Sequence, residues 1–561
     1  PAQLADSRMR TVNQTDIWPN YDPQYGSILN VSVFDLAYYP LERGMYNYDT
    51  TNTVNADGTF VNPESRWGGI MRALTTTDFE QTNIEYIQFW MLDPFHADAE
   101  AVNPNSIHNG GDLYINLGNI SEDILPDSRK SFENGLPPTG TSIAGDTDTT
   151  MWSRVSTQQV VVNAFDNDPN ARVNQDIGLD GWNDSQESTE FGNYVSWINS
   201  NATLDATAKS KLLADPSNDN YDYFRDDDYD AAQLNILERY KKYNGMEGNS
   251  PTTEMSNSIN VDGYPTISTN TPDIEDINQD NNLSESESYF QYKLNISPGE
   301  MVVGKNFITS VQIYDKGNGD QERWCQFKIP VANYERKIGG ISDFRSIRFM
   351  RLFLKDFDEE VVLRFARMEF IRGEWRRYLL SLEDDGEGIV IDPNLTSFDI
   401  GAVNIQENND RQPVNYVVPP GIVQEVDPSQ TFQRLLNEQS LSLEVCDLQD
   451  GDARAAYRNV QFDVRNYKKL KMFVHAEEVD PSKPLDDDEL SMFIRLGTDF
   501  TDNYYEYEIP LKTTTWGSNL DTDVWPEENF VEIVFEDLLN IKKQRNKLIS
   551  DGNTSISYVV E

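Results

Sequence analysis

Two stretches of this sequence set oxygen donors at spacings that suit a hard divalent cation. In "DINQDNNLSESE", Asp276, Asn278, Asp280, the Asn282 carbonyl, Ser284 and Glu287 occupy the ligand positions of a twelve-residue calcium loop. Calcium takes about six to eight oxygens, so such a loop concentrates what the ion needs. Position six is Asn281, where an EF-hand has glycine, and a strand pattern follows where an EF-hand enters a helix. A looser copy, "DIGLDGWNDSQE", places Asp176, Asp180, the Trp182 carbonyl, Asp184 and Glu187 at equivalent positions, with Gly181 at the turn. Gly178 brings no side-chain donor to its third position. The competing reading of both is a solvated acidic turn. Bound calcium would be structural, neutralising crowded carboxylates in a segment that folds poorly by itself.

No catalytic constellation accompanies them. His96, His108 and His475 are scattered, and HExxH, GxSxG, P-loop and Rossmann signatures are absent. Carboxylates are too abundant for their pairing to carry information, and a glycosidase pair is defined only by its separation in space. The expectation is a non-enzymatic protein. Cys325 and Cys446 are too few for a disulfide framework and wrongly spaced for zinc, so the redox compartment stays open. Trp90 and Trp324 could stack on sugars, but strands as apolar as theirs favour a core role. Arg345, Arg348, Arg351, Arg364, Arg367, Arg372, Arg376 and Arg377 form a basic cluster. It suits either an acidic partner or, the preferred reading, pairing to nearby Asp and Glu on an exposed sheet face by outward residues such as Arg348 and Arg364.

The chain around these residues has 561 residues, with 94 Asp+Glu against 46 Lys+Arg and a formal net charge of −48. Such a field repels phosphate, which argues against a nucleic-acid partner. The 27 Tyr, 26 Phe and 10 Trp suit all-β packing. "IEYIQFWMLDPF" is too short to span a bilayer as a helix. At period two, Ile87, Phe89 and Met91 share one face of a strand, and Tyr86, Gln88, Trp90 and Leu92 share the other. A strand apolar on both faces belongs inside a sandwich. Alternating segments closed by aromatic girdles are missing, so these residues are not expected to span the membrane.

The strand recurs. "YKKLKMFVH" sets Leu470, Met472 and Val474 where Ile87, Phe89 and Met91 stand, and "DLYINLG" (112–118) is echoed by "SMFIRLG" (491–497). "YFQYKL" (289–294) is echoed by "YYEYEI" (504–509), but the offset falls there from 379 to 215, so the first copy carries 164 extra residues. That insertion is rich in Asn, Asp, Ser and Gly. It holds one helix-like stretch, "AAQLNILERYKKYNG", with Leu234, Ile236 and Leu237 on a stripe and Gly245 as terminator. "SIRFMRLFLKD" and "EVVLRFARMEFI" read as a closing hairpin of copy one. The second copy shows no counterpart, which leads us to expect a fragment ending inside its second domain.

The fold class expected is mainly β, with two jelly-roll-like β-sandwich domains. Residues 1–118 and 289–385 form the first and 119–288 its acidic, partly helical insertion. Residues 386–436 supply a Pro-containing connector, "QPVNYVVPPGI", and a short helix, "PSQTFQRLLNEQS"; 437–561 form an incomplete second sandwich.

Several long strings, "DLAYYPLERGMYNYD", "RWGGIMRALTTTDFEQTNIEYIQFWMLDPF", "GDLYINLGNISEDILPDSRKSFENGLP", "DINQDNNLSESESYFQYKL" and "RQPVNYVVPPGI", make the chain resemble the SprA/Sov family. These are outer-membrane translocons of the Bacteroidetes type IX secretion system. The resemblance implies a large barrel that exports folded cargo and supports gliding and adhesin display, working with an accessory barrel partner and a periplasmic plug. This chain would then be a soluble cap or inserted portion of that outer membrane complex, on the extracellular face by its acidity, with the periplasmic face as the alternative. Two other readings stay open: a glycan-binding jelly-roll pair of a secreted carbohydrate-active enzyme, and a calcium-stiffened surface adhesin.

Overall fold

The computed structural model describes residues 5–19, 30–95, 109–122, 147–242, 252, 254, 276–378, 396–424 and 436–552, with short gaps inside the longer stretches, the longest at 157–164. His96, His108, Gly245 and most of the helix expected over "PSQTFQRLLNEQS" lie outside the described residues. The chain divides into two compact units, Pro1–Val12 with Asn30–Arg372, and Asn13–Leu29 with Gly373–Glu561. Both are built from antiparallel strands, and none of the sheets closes on itself.

In the first unit, alternation of apolar residues builds two five-stranded sheets. The strands before the insertion are β1 (Val33–Tyr38), β2 (Trp67–Ala73), β3 (Ile84–Leu92) and β4 (Gly111–Asn119). A small hairpin, β5 (Thr147–Thr149) with β6 (Arg154–Ser156), lies in the insertion. After it come β7 (Ser288–Ile296), β8 (Ile308–Asp315), β9 (Gln321–Pro330), β10 (Arg336–Ile338), β11 (Phe349–Lys355) and β12 (Val361–Arg372). One sheet runs β1-β12-β3-β9-β8 and the other β10-β7-β4-β11-β2. Ile87, Phe89 and Met91 pack in a single core with Leu113, Ile115 and Leu117 of the opposite sheet, which defines a two-layer sandwich. Trp90 and Trp324, on the outward face, are buried as well. The N-terminal segment is tied to that face: Arg10 donates to Glu322 through Nε at 2.6 Å, and Arg364 donates to the Ser7 and Arg10 carbonyls at 2.6 and 2.9 Å.

The expected closing hairpin is not one. β11 pairs with β4 and β2, whereas β12 pairs with β1 and β3, so the short turn between them crosses from one sheet to the other. Leu352 and Leu354 face Leu363 and Phe365 within the core, and this burial outweighs the hydrogen bonds a local hairpin would make. Consequently Arg364 does not point outward on an exposed face. It is buried and bound to Asp35 at 2.8 Å, besides the two carbonyls.

The insertion is partly helical. Helices Asp184–Glu190, Gly192–Ser200 and Ala206–Ala214 assemble a second, smaller core from Phe191, Tyr194, Ile198, Leu204 and Ala208 against Val54 and Phe60. Asn183 and Gln186 form a reciprocal capping box, and Asp205 Oδ1 accepts the Ala208 N–H at 2.7 Å. The helix expected around Leu234 starts only at Ile236, as Ile236–Lys242, because Asn235 and Glu238 cap each other reciprocally there.

The second unit contains β13 (Arg376–Arg377), β14 (Ser397–Asn404), β15 (Gln439–Cys446), β16 (Ala456–Tyr457), β17 (Lys469–Met472), β18 (Ser491–Gly497), β19 (Tyr504–Pro510) and β20 (Val531–Val534). They pair as β13-β16, β14-β15, β17-β20 and β18-β19, with a small core of Val414, Tyr416, Val524 and Trp525. A sixteen-residue helix, Phe535–Ser550, follows β20.

The repeat read from the sequence is reproduced in register. Leu113 faces Leu294 and Gly118 faces Tyr289 in β4-β7; Met492 faces Ile509 and Gly497 faces Tyr504 in β18-β19. These pairs are equivalent under the offsets of 379 and 215. β3 sets Ile87 opposite Ile329 and β17 sets Leu470 opposite Ile533, but these partners are 204 positions apart, not 215, so this pairing falls outside the offsets of the repeat. Val474 is a further exception, since β17 ends at Met472.

Candidate metal centre

The two acidic loops have different surroundings. In the first, the backbone is folded by its own side chains: Asp276 Oδ1 and Asn278 Oδ1 accept the Asp280 N–H at 3.0 and 2.9 Å, and Asp280 Oδ1 accepts from Asn282 at 3.0 Å. Buried Glu122 organises the loop from outside it. Its carboxylate accepts the N–H groups of Ile277, Asn278 and Ser284 at 2.9, 3.3 and 3.0 Å. Arginines reach its carboxylates, with Arg348 on Asp280 and Arg351 on Glu287 at 3.3 Å. Ser121 donates to Glu287 through Oγ at 2.6 Å and through its backbone at 3.0 Å. Ser284 is buried, and Asn281 lies outside the described residues. The loop's charges are thus met by protein groups, and the basic cluster is what meets several of them. Arg345 pairs with Glu80 and Arg377 with Asp399 in the same way.

The second loop is built otherwise. Asp176 lies outside the described residues, and Asp184 opens the helix Asp184–Glu190. Asp180 and Glu187 are fully buried and are joined by residues from a turn thirty positions on, Asp215, Ser217 and Asp219. Ligand oxygens of Glu187, Asp215 and Asp219 lie within 4.8 Å of one another. Ser217 donates through Oγ to Asp180 Oδ2 at 2.5 Å and through its backbone to Glu187 Oε2 at 3.0 Å. The Asp180 N–H donates to Asp219 Oδ2 at 3.2 Å, and the Trp182 N–H to Asp180 Oδ1 at 2.8 Å. Tyr48 Oη reaches both Asp180 and Ser217, at 3.2 and 2.8 Å.

Crowded burial makes these groups reluctant acids. Burial, then the charge of Asp180, pushes Glu187 up to about 8. Asp219 rises for the same first reason, with Asp180 and Glu187 adding repulsion, and burial also raises Asp180. Hydrogen bonds from Ser217, Trp182 and Tyr48 oppose the rise at Asp180.

Sequence spacing brought Asp180 and Glu187 into one candidate set but missed Asp215, Ser217 and Asp219. The available signal was "DPSND", acidic residues two apart from a serine, the pattern that opens a calcium loop. His475, by contrast, is used structurally in the second unit, between the Val524 carbonyl at 2.8 Å and Glu477 at 3.2 Å. Among the described residues no helix is long and apolar enough to cross a membrane.

Residues 193–560, more than half of the chain, match the SprA_N family model, described as motility related/secretion protein. No curated protein matches the chain.

Proposed function

We infer the function from a premise the family match supplies: the chain belongs to the SprA_N family of motility-related and secretion proteins. Within that family we read these residues as a non-enzymatic portion of an outer-membrane translocon, a cap or an insert between barrel strands. In this reading the two β units contribute to protein export across the outer membrane, and through it to gliding and adhesin display. The partners are the remainder of the barrel, an accessory outer-membrane partner, a plug protein and exported cargo. The extracellular face is the side we assign, on the strength of the net charge of −48.

The family match is the observation that carries this reading. Burial of Trp90 and Trp324 adds support against the glycan-binding alternative, since both rings are inside the protein and cannot stack on a sugar. The test is a strain whose parent gene lacks the first sandwich and its insertion, assayed for secreted proteins, surface adhesin and gliding. Joint loss of all three, with the remaining barrel still inserted in the outer membrane, is expected. Normal export from such a strain would overturn the reading.

A further inference from the structure

Glu187 and Asp219 are 0 % exposed, yet Glu187 Oε1 and Asp219 Oδ1 accept no hydrogen bond from any described residue. No described arginine or lysine makes a salt bridge to either carboxylate. The first acidic loop shows what the protein does with carboxylates it means to satisfy by itself: it brings Arg348 and Arg351 to them. Here it does the opposite, converging three carboxylates, two of them fully buried, and leaving two oxygens without donors. Buried polar atoms in native proteins are overwhelmingly paired, so such a pair of orphans marks a missing positive group.

We propose that Glu187, Asp215 and Asp219 ligate a calcium ion at the foot of the inserted helices, with Asp180 and Ser217 orienting the ligands from behind. Two oxygens on opposite sides of a calcium ion, each at about 2.4 Å, are about 4.8 Å apart. Ligand atoms that all lie within 4.8 Å of one another are therefore close enough for one ion to bridge. The donor set is all oxygen, which disfavours zinc. Magnesium holds several waters in a strict octahedron, which a carboxylate set with Glu187 and Asp219 fully buried accommodates poorly. The Ser217 and Tyr48 hydroxyls and the Trp182 N–H fix Asp180, and the Ser217 N–H in turn fixes Glu187 Oε2, so the carboxylates are held in place before an ion arrives.

The ion would join the helix Asp184–Glu190 to the turn that follows the helix Ala206–Ala214. Through Asp180, whose carbonyl accepts the Arg154 N–H at 2.7 Å, it also reaches the β5-β6 hairpin. It closes the small core of the insertion at one end.

The experiment uses the purified chain, with Tb3+ as a luminescent stand-in for calcium and Trp182 beside the site as the antenna. Wild type is expected to bind Tb3+ with sensitised emission, to lose that emission on calcium addition, and to melt about 5 °C lower in EDTA than in excess calcium. The double variant Glu187→Gln with Asp219→Asn is expected to lose one bound Tb3+ and its calcium-dependent melting shift. It should melt in EDTA no lower than wild type in EDTA, because two mutually repelling charges are gone; that result also shows that it folds. Asp276→Asn with Asp280→Asn, in the first loop, is expected to leave the shift intact. The proposal is overturned by a wild type indifferent to calcium and EDTA, which would mean that the carboxyls stay protonated. It is equally overturned by a calcium response that survives in the Glu187/Asp219 variant.

Discussion

At the scale of single residues, environment decides what each titratable group does. Glu477 shows it in the second unit. Burial would raise its pKa, but hydrogen bonds from His475 and Arg411 outweigh that and hold it below the ordinary glutamate value. A carboxyl depressed in the folded state binds fewer protons there than when unfolded, so its stabilisation is fully present above the unfolded value near 4.5. It is lost as pH falls through the lower folded value. Glu477→Gln should therefore cost about 1.5–3 kcal/mol near pH 6, and the gap between wild type and variant should close as melting curves are taken down to pH 3. A gap that persists unchanged at pH 3 would mean that shape, not charge, is what Glu477 contributes. Such roles were only half legible beforehand. Asp180 and Glu187 could be picked by spacing, because a calcium loop is a local pattern. Glu122, Asp215 and Asp219 could not be placed, because their partners come from segments 30 to more than 150 residues away, and only the fold brings them together.

At the scale of elements, alternation proved a good guide to strands and a poor one to their partners. "IEYIQFWML" reads as an interior strand because both its faces are apolar, and it is β3, central in its sheet. "SIRFMRLFLKD" followed closely by "EVVLRFARMEFI" reads as a hairpin, yet the two cross the sandwich, since a short turn permits either path and only core burial selects one. The repeat gives this scale its sharpest test. A Cβ added at Gly118 would sit 2.4 Å from the Ser288 carbonyl oxygen, and one at Gly497 would sit 2.3 Å from that of Asn503. Both glycines let the following strand's start come close, at the same register point of each copy. Gly118→Ala and Gly497→Ala should each destabilise their own unit by about 1–3 kcal/mol, the usual cost of overpacking against backbone. Chemical denaturation followed by tryptophan fluorescence would check it. Equal stability of either variant to wild type would remove the claim that the two glycines do the same work.

At the scale of the whole molecule, the proposed extracellular side rests on the net charge of −48, and the chain carries its own reporter for testing that proposal. Cys446 is exposed and Cys325 is buried, where burial first, with the charge of Asp93 adding, pushes its thiol up to about 12. A thiol in that state has almost no thiolate near neutral pH and reacts slowly. One thiol per native chain should therefore react with Ellman's reagent, and two after denaturation. The same contrast works in living cells. A membrane-impermeant maleimide applied to intact cells should label the native protein at Cys446 and not at Cys325. Val423→Cys, at a site 84 % exposed, adds a second reporter in the same unit in case a partner covers the first. Labelling at either exposed position before the outer membrane is breached places the second unit outside. Labelling of both only after permeabilisation would move it to the periplasmic face, and the acidic surface would then need an explanation other than exposure to the medium.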